Sequence, residues 1–514
     1  MTQTNVADRV AESLKERGVE WIATLCGHGL DPLFDAVTRA GVRLIDTRNE
    51  QSAAYIAECY GRLTGKPGVC ASSSGVAVVN AMTGVMNAWF DHAPMLFISG
   101  SADLDVLGRG CFQDADQAAL VRPLTKYSHS IERPEDALPM LDEAWSTALE
   151  TPCGPVHLMF PMNVQRAIAA SDPAKRTEHF QAAPPSLTSA AEALRLSRRP
   201  LILTTSEVFY NGEGGALLDM ARRFHIPVQT PIWDRGICDF AEDVFLGVMG
   251  AATGDAGLLK RADCVLLAGD LRDYRVQYLK DIPNVHIVAR DWAGLARMAG
   301  PLDFTAWLSE ARGIRDGLTR AVRNSAEAQR AGTRMHAVDI VDVLADLLPT
   351  DASLIIDGGS IGQWAHHLLC ERRYPGYWLT CGRSGVVGFG IAGAIAARLA
   401  FPQRPVVLLS GDGAFTFSVA DLECAVRQRL HFVAIVADDQ CWGITDSGHL
   451  RQYGKGMATR LGPIAFDRLA DSFGASGVRA GKREELAAAL QHALSRQEVT
   501  IIHVPISGGA PQAA

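Results

Sequence analysis

Short apolar runs alternate with longer helix-period stretches along almost the whole 514-residue chain. WIATLC (21–26) precedes a helical stretch near 30–40, VRLID (42–46) precedes Glu50–Leu63, and GVCASS (68–73) precedes Val76–Phe90. PMLFISG (94–100) follows, and GPVHLMF (154–160) comes after a further helix. A second set holds PLILTTS (200–206), Leu217–Phe224, IPVQT (226–230), ADCVLLAGD (262–270) and VHIVARD (285–291). A third starts at DIVDVLADLLP (339–349) and runs through SLIIDGG (353–359) and VVLLSGDG (406–413) to TIIHVPIS (500–507). Apolar runs of this length, bounded by turn formers, read as strands covered on both faces, with crossover helices between them. The pattern predicts an α/β fold of parallel sheets covered by helices.

Two stretches break the alternation. SDPAKRTEHFQAAPPSLTSA (171–190) is rich in Pro, Ala and Ser and reads as a linker. Ile314–Met335 is polar and reads as a solvated helix or connector. They suggest three domains, 1–185, 186–330 and 331–514, each of ordinary size. Composition adds little: 48% hydrophobic and 21% charged residues, with a net charge of −8 and both signs interspersed. Nothing in it points to a nucleic-acid partner. The 11 cysteines show no C-x-x-C pair, and Cys70, Cys370, Cys424 and Cys441 sit in or beside apolar runs, as core residues of a reducing compartment do. The N-terminus is an amphipathic helix pattern without the apolar centre of a signal peptide, and no apolar run has membrane-spanning length. A cytoplasmic protein without a membrane partner is the expectation.

The candidate chemistry lies in the third set. One strand-like run ends in Gly411-Asp412-Gly413 and the next in Asp438-Asp439-Gln440, placing Asp412 and Asp439 27 residues apart. Upstream, Gly388 to Gly393 spells G-x-G-x-x-G, with Asp412 19 residues further on. That is the grammar of a dinucleotide-binding unit, but close helix–strand packing produces it too, and it leaves Asp439 unexplained. Alternatively, the carboxyl ends of neighbouring parallel strands share one edge, so Asp412 and Asp439 could meet there. Two carboxylates plus phosphate oxygens suit magnesium. Gly413 and Gly443 would let backbone amides approach a phosphate, and a helix starting near Ser418 would favour the anion. Two ordinary polar turns are the third reading.

Taken together, these segments resemble the thiamine diphosphate enzymes of the acetolactate synthase and benzaldehyde lyase group, whose signature is GDG, a spacer, then Asn-Asn after a strand. The resemblance covers nearly the whole chain. IDTRNEQSAAYIAECYGRLTGKPGV (45–69), SSSGVAVVNAMTGVMNAW (72–89), FQDADQ (112–117) and PLTKYS (123–128) match in order. Arg199-Pro200, Gly385-Val-Val-Gly388 and DRLADSFGASG (467–477) match as well. The resemblance implies thiamine diphosphate and Mg2+ as cofactors, with GFGIAG as a small-residue helix beside the cofactor.

It also implies roles. Glu50 would stand beside the pyrimidine N1′ and promote the tautomer that activates C2, although Asn49-Glu50 is also a sensible helix start. Asn80 belongs to the same cofactor-binding set. Val387 would bend the cofactor into a V, and the Gly385 carbonyl would accept from its 4′-amino group. Asp412, Asp439 and the Cys441 carbonyl match metal ligands. Gly413, Ala414, Gly443, Ile444, Gly359 and Ser360 match diphosphate contacts.

Over C2 the same comparison offers Gln113, His28, Trp442, Thr445 and His449, with Gln113 and His28 as candidate catalytic groups. Arg48 and Arg383 are basic residues near these segments that suit a surface role better than a substrate carboxylate. His366-His367 reads as structural and His92 as a local turn residue. Three departures stand out: Asp439 replaces the usual asparagine, Gly75-Val76-Ala77 replaces a G-x-G, and little chain follows the last strand. GDLRDYR (269–275) departs from the flavin-binding pattern, so bound FAD is not expected.

The activity implied is cleavage or formation of a carbon–carbon bond next to a carbonyl. Decarboxylation or carboligation of a small 2-oxo acid comes first, with an acyloin or 2-hydroxyacyl-CoA lyase as the alternative. A catalytically silent cofactor-binding regulatory protein is the alternative of another class, against which the retained Glu50 argues. In this family a glutamate of one subunit meets the diphosphate domain of another, so a homodimer or homotetramer with active sites at subunit interfaces is expected.

Overall fold

The computed structural model describes residues 4–169, 187–234, 243–269, 271, 273–280, 282, 284–330, 334–369 and 378–511. The stretch 171–190 therefore lies outside the described residues except for its last four, where the helix Thr188–Leu196 begins. Cys370 and part of 269–275 lie outside as well.

The apolar runs form three parallel sheets. The first uses β1 (Trp21–Leu25), β2 (Arg43–Asp46), β3 (Gly68–Ser72), β4 (Met95–Ser101), β5 (Tyr127–Ser130) and β6 (Pro155–Pro161), in the order β2-β1-β3-β4-β6-β5. The second uses β7 (Pro200–Thr204), β8 (Val228–Pro231), β9 (Phe245–Met249), β10 (Cys264–Ala268) and β11 (Val285–Ile287), in the order β11-β10-β7-β8-β9. The third holds β12 (Met335–His336), β13 (Ser353–Asp357), β14 (Trp378–Leu379), β15 (Val406–Gly411), β16 (Val433–Asp438), β17 (Ser476–Arg479) and β18 (Thr500–Ser507). Its order is β12-β18-β16-β15-β13-β14, with β17 also on β18. Strands such as β4 and β16 are buried along their whole length, which is why they read as unbroken apolar runs rather than alternating ones.

The described residues pack as two compact units. The first comprises Met1–Ala182, Gly382–Pro402 and Ser418–Gln428, and the second Ala183–Cys381, Gln403–Phe417 and Arg429–Ala514. Within the first unit, the helix Gly390–Ala400 packs along the helix Glu50–Thr64. Its buried Gly390, Ala392, Gly393, Ala394, Ala396 and Ala397 leave no bulk between the two backbones. That settles the G-x-G-x-x-G: no strand leads directly into it, since β14 ends at Leu379, so it lacks the strand–turn–helix context of a dinucleotide fingerprint. Within the second unit, one continuous apolar core underlies both sheets.

Two expectations shift. The polar stretch from Ile314 is the latter part of a 25-residue helix, Thr305–Gln329, which buries Trp307, Leu308, Ala311, Val322 and Ala326. From Ile314 on it buries only Thr319, Val322 and Ala326, so of the two alternatives it is the helix, anchored to the core by its first turns. The helix expected near Ser418 is two short ones, Asp412–Thr416 and Asp421–Arg427, so Asp412 is itself the first helical residue after β15. Among the described residues, no helix is long and apolar enough to cross a membrane.

Candidate functional site

Parallel pairing places the ends of β13, β15 and β16 side by side: Asp357 faces Ser410, and Gly411 faces Ala437. The chain leaves this edge through Gly358–Ser360, Asp412–Ala414 and Asp439–Ile444, so ten predicted residues of the second unit share one rim. Ile444 packs over Gly359, 3.2 Å from where a Cβ there would stand. Gly443 is required by its neighbours: a Cβ would lie 2.4 Å from Ser360 Oγ and 3.0 Å from Asp439 Oδ2. The ring of Trp442 closes over Gly413 and meets Phe417 edge-on at 6.0 Å.

The electrostatics of this rim are those of a crowded acid pair. Burial pushes the Asp412 carboxyl up to about 7, with the charge of Asp439 adding to the effect. Burial likewise pushes Asp439 up to about 6, partly offset by the Cys441 amide, which donates to its Oδ1 at 3.1 Å. A third acid, Asp438, ends β16 beside them and had been given no role. It faces His503 Nε2 at 2.8 Å, while His503 Nδ1 faces Asp467 at 3.1 Å. Both ring nitrogens therefore meet carboxylates. Asp438 also adds to the rise at Asp412, and the charge of Arg460 eases that at Asp439.

The residues present fit the implied groups. Two carboxylates and the Cys441 carbonyl are oxygen donors of the kind magnesium takes. Among the described residues no group of three or more His, Cys, Asp and Glu forms a metal cluster, so phosphate or water oxygens would have to complete the shell. Among the described residues Ser360 Oγ is buried with no hydrogen-bond partner, packed against the Gly443 backbone where a Cβ would stand, and it is a ready donor for a diphosphate.

The first unit holds the other candidates. Glu50 is the first residue of the helix Glu50–Thr64, behind the N-cap Asn49, whose side chain accepts from the Gln51 amide at 2.9 Å. The helix-start reading is therefore correct in structure and compatible with a catalytic acid. Glu50 is 9% exposed and accepts from Asn80 Nδ2 at 3.1 Å. Asn80 lies on the exposed side of the helix Val76–Phe90, so the same amide orients the acid and faces outward.

At the ends of β1 and β3, Gln113 Oε1 meets the hydroxyls of Ser73 (3.2 Å) and Ser74 (3.0 Å), and Ser73 Oγ also meets the His28 carbonyl at 2.7 Å. Gly75 sits at φ 57 with the Gln113 carbonyl 2.7 Å from where a Cβ would stand. That contact uses the first glycine of the expected G-x-G and asks nothing of Ala77. The His28 ring is exposed and meets Phe112 at 5.9 Å. Ser73 and Ser74 were in a quoted segment but unassigned, because their partners are some 40 residues away in sequence. Gly385 lies in an exposed turn at φ 71 and Val387 is half-buried beside it.

The residues given surface or structural roles make local contacts. Arg48 pairs with Glu423 at 3.1 Å, and the Arg383 amide donates to Asp91 at 2.7 Å. His366 and His367 are buried and held neutral, pushed down to about 3 and about 4 by burial, and His367 Nε2 bonds Thr253 at 2.8 Å. His92 occupies a turn at φ 51. Thr445 and His449 lie on the helix Gly443–Tyr453, Thr445 exposed and His449 half-buried.

Comparison with known proteins agrees along the chain. Residues 4–120 match the model of the thiamine pyrophosphate enzyme N-terminal TPP binding domain, 187–292 the central domain and 357–504 the C-terminal TPP binding domain. A probable acetolactate synthase of Mycobacterium bovis is 30% identical, covering 98% of this chain and 96% of that protein. The acetolactate synthase isozyme 1 large subunit of Escherichia coli is 25% identical over 97% of this chain and 93% of that protein. The 2-hydroxyacyl-CoA lyase 2 of Bos taurus is 27% identical over 93% of this chain and 85% of that protein. The chain therefore belongs to the thiamine pyrophosphate enzyme family, in its acetolactate synthase-like group, and is a thiamine diphosphate-dependent enzyme of carboligase or decarboxylase type.

Proposed function

We propose that the enzyme decarboxylates a small 2-oxo acid such as pyruvate and joins the remaining fragment to a second carbonyl, using thiamine diphosphate and Mg2+. The observation that carries this reading is the rim at the ends of β13, β15 and β16, where Asp412, Asp439, the orphaned Ser360 hydroxyl and the close-packed Gly443 backbone converge. When bound, thiamine diphosphate supplies a nucleophilic carbon that adds to the substrate carbonyl. The chain does the rest. Asp412, Asp439 and the Cys441 carbonyl hold the metal; Ser360, Gly359, Gly413, Ala414, Gly443 and Ile444 receive the diphosphate; and Gly385 and Val387 set the pyrimidine and ring geometry. Glu50, held by Asn80, keeps a proton at the pyrimidine nitrogen. Gln113 and His28 flank the substrate carbonyl as donors.

The same reading places the domain limits near 185 and 330 and the protein in the cytoplasm, without a flavin. It makes the active unit at least a homodimer, with Glu50 of one copy serving the rim of the other. The support for that is an apolar stripe on the helix Val76–Phe90. Val76, Val79, Met86, Trp89 and Phe90 are exposed at helical spacing around Asn80.

The test is a substrate panel. Pyruvate, benzoylformate, glyoxylate, acyloins and 2-hydroxyacyl-CoAs are incubated with cofactor and Mg2+, following CO2 and products. Turnover of pyruvate with CO2 release supports the proposal. Aldehyde release from a 2-hydroxyacyl-CoA or acyloin with no turnover of 2-oxo acids replaces it with the lyase reading. An active monomer by mass measurement overturns the shared-site arrangement.

A further inference from the structure

One buried acid has no part in the site so far. Asp421 opens the helix Asp421–Arg427, nine residues along the chain from Asp412, and is 1% exposed. Its carboxylate does not cap its own helix. It reaches the start of the helix Glu50–Thr64 within the same compact unit. One oxygen accepts from the Arg48 amide at 2.7 Å, and the other from the Ser52 hydroxyl. These donors stand two residues before and two residues after Glu50. The neighbouring contacts fasten the same segment: Arg48 Nε to Glu423 at 3.1 Å, Arg427 Nη1 to Asp46 at 2.7 Å, and Gln428 Nε2 to Asp46 at 3.0 Å.

This is an unusual use of a buried carboxylate. The helix already has a local cap in Asn49, which takes the Gln51 amide. Asp421 adds a second, remote acceptor that grips both flanks of one residue, and a negative group there suits the helix start. Burying it costs desolvation, which a merely space-filling role would not require. Of the three residues between the two flanks, Glu50 is the buried one, and Asn80 fixes the far end of its side chain.

We propose that Asp421 is a positioning residue for Glu50: by bridging Arg48 and Ser52 it sets the backbone from which the Glu50 carboxylate is presented to the cofactor. The inference rests on the role given to Glu50 above. Asp421→Asn keeps an acceptor for the Arg48 amide, Asp421→Ala removes both bonds, and Ser52→Ala removes one.

Two readouts apply to the full-length protein. The first is amide hydrogen exchange of residues 46–53 without cofactor. The second is exchange of the C2 proton of bound thiamine diphosphate, followed by quenched NMR in Mg2+. Asp421→Ala is expected to speed amide exchange in 46–53 and to slow C2 exchange about tenfold, a loss typical of a misplaced group. Asp421→Asn should restore most of both, and Ser52→Ala should fall between. In Glu50→Gln, already slow, adding Asp421→Ala should cost nothing further, because the two act through one group. Wild-type C2 exchange in Asp421→Ala, or in Ser52→Ala should the first variant not fold, overturns the proposal. Full additivity with Glu50→Gln does the same. Undiminished C2 exchange in Glu50→Gln alone would instead remove the role of Glu50 itself.

Discussion

Glu58→Gln offers the sharpest check on the energetics of the first unit. Glu58 is fully buried on the helix Glu50–Thr64. It accepts from Asn87 Nδ2 at 2.6 Å, while the Arg62 guanidinium stands off at 3.9 Å and also approaches Asp91 at 3.4 Å. Burial pushes its carboxyl up to about 7 from an ordinary 4.5; Arg62 opposes the rise and Asp91 adds to it. Between those two values the folded protein keeps a proton that the unfolded chain has released, so stability falls as pH rises. At roughly 1.4 kcal/mol per pKa unit, the full span is about 3 kcal/mol by pH 8, an upper figure that relaxation around the site will reduce. Glutamine keeps the acceptor for Asn87 and carries no such cost. Relative to wild type, Glu58→Gln should gain about 1–3 kcal/mol at pH 8 and little at pH 5, read from urea unfolding at both pH values. If Glu58 were instead the ionised partner of Arg62 throughout, breaking the buried pair would cost about 3–5 kcal/mol at both. A mutant equally destabilised at pH 5 and pH 8 would refute the reasoning.

Other substitutions test the rim and the core. Gly443→Ala forces a methyl against Ser360 and Asp439, so the cofactor-free protein should lose roughly 1–3 kcal/mol of stability and the Kd for thiamine diphosphate should rise at least about tenfold; unchanged affinity in calorimetry would show that the close packing at Gly443 does not shape the binding site. Asp439→Asn should leave the metal bound, since an amide oxygen can still ligate it, while relieving Asp412 of a like charge. Unchanged metal affinity and unchanged activity would together show that the acid is incidental. His157 bridges Ser99 and Ser128 at 2.8 and 2.9 Å in the core, and His157→Ala should cost about 2–4 kcal/mol in urea unfolding. Burial holds that imidazole down to about 3, so below about pH 6.5 the unfolded chain binds a proton the folded protein refuses, and wild-type stability falls with acid. A flat pH profile in that range for wild type, unchanged in His157→Ala, would contradict it.

The strands were readable because parallel sheets bury both faces, which leaves uninterrupted apolar runs such as 406–409 and 433–437. Short edge strands gave no such signal: β12 and β14 have two residues each. The helix Thr305–Gln329 starts at an apolar N-cap, Phe304, and the Asp303 carboxylate one residue earlier takes the Thr305 amide, so its start does not follow the usual N-cap pattern. Asp412 and Asp439 could be placed on one edge from strand order alone. The details that make the edge a site could not. His503 takes Asp438 across 65 residues, and Ser52 meets Asp421 across 369. Such partners are fixed by packing of distant segments, not by local period. The same holds for Ser73 and Gln113, whose contact needs the loops after two strands to converge.

The claim on which the account stands is that Asp412 and Asp439 hold a magnesium ion and, through it, thiamine diphosphate. Calorimetric titration of the cofactor into wild type and Asp412→Ala, each with Mg2+ and with EDTA, tests it directly. The account predicts tight binding only for wild type with Mg2+, weakened on the order of a hundredfold by either Asp412→Ala or EDTA. Equal affinity in all four conditions would contradict it.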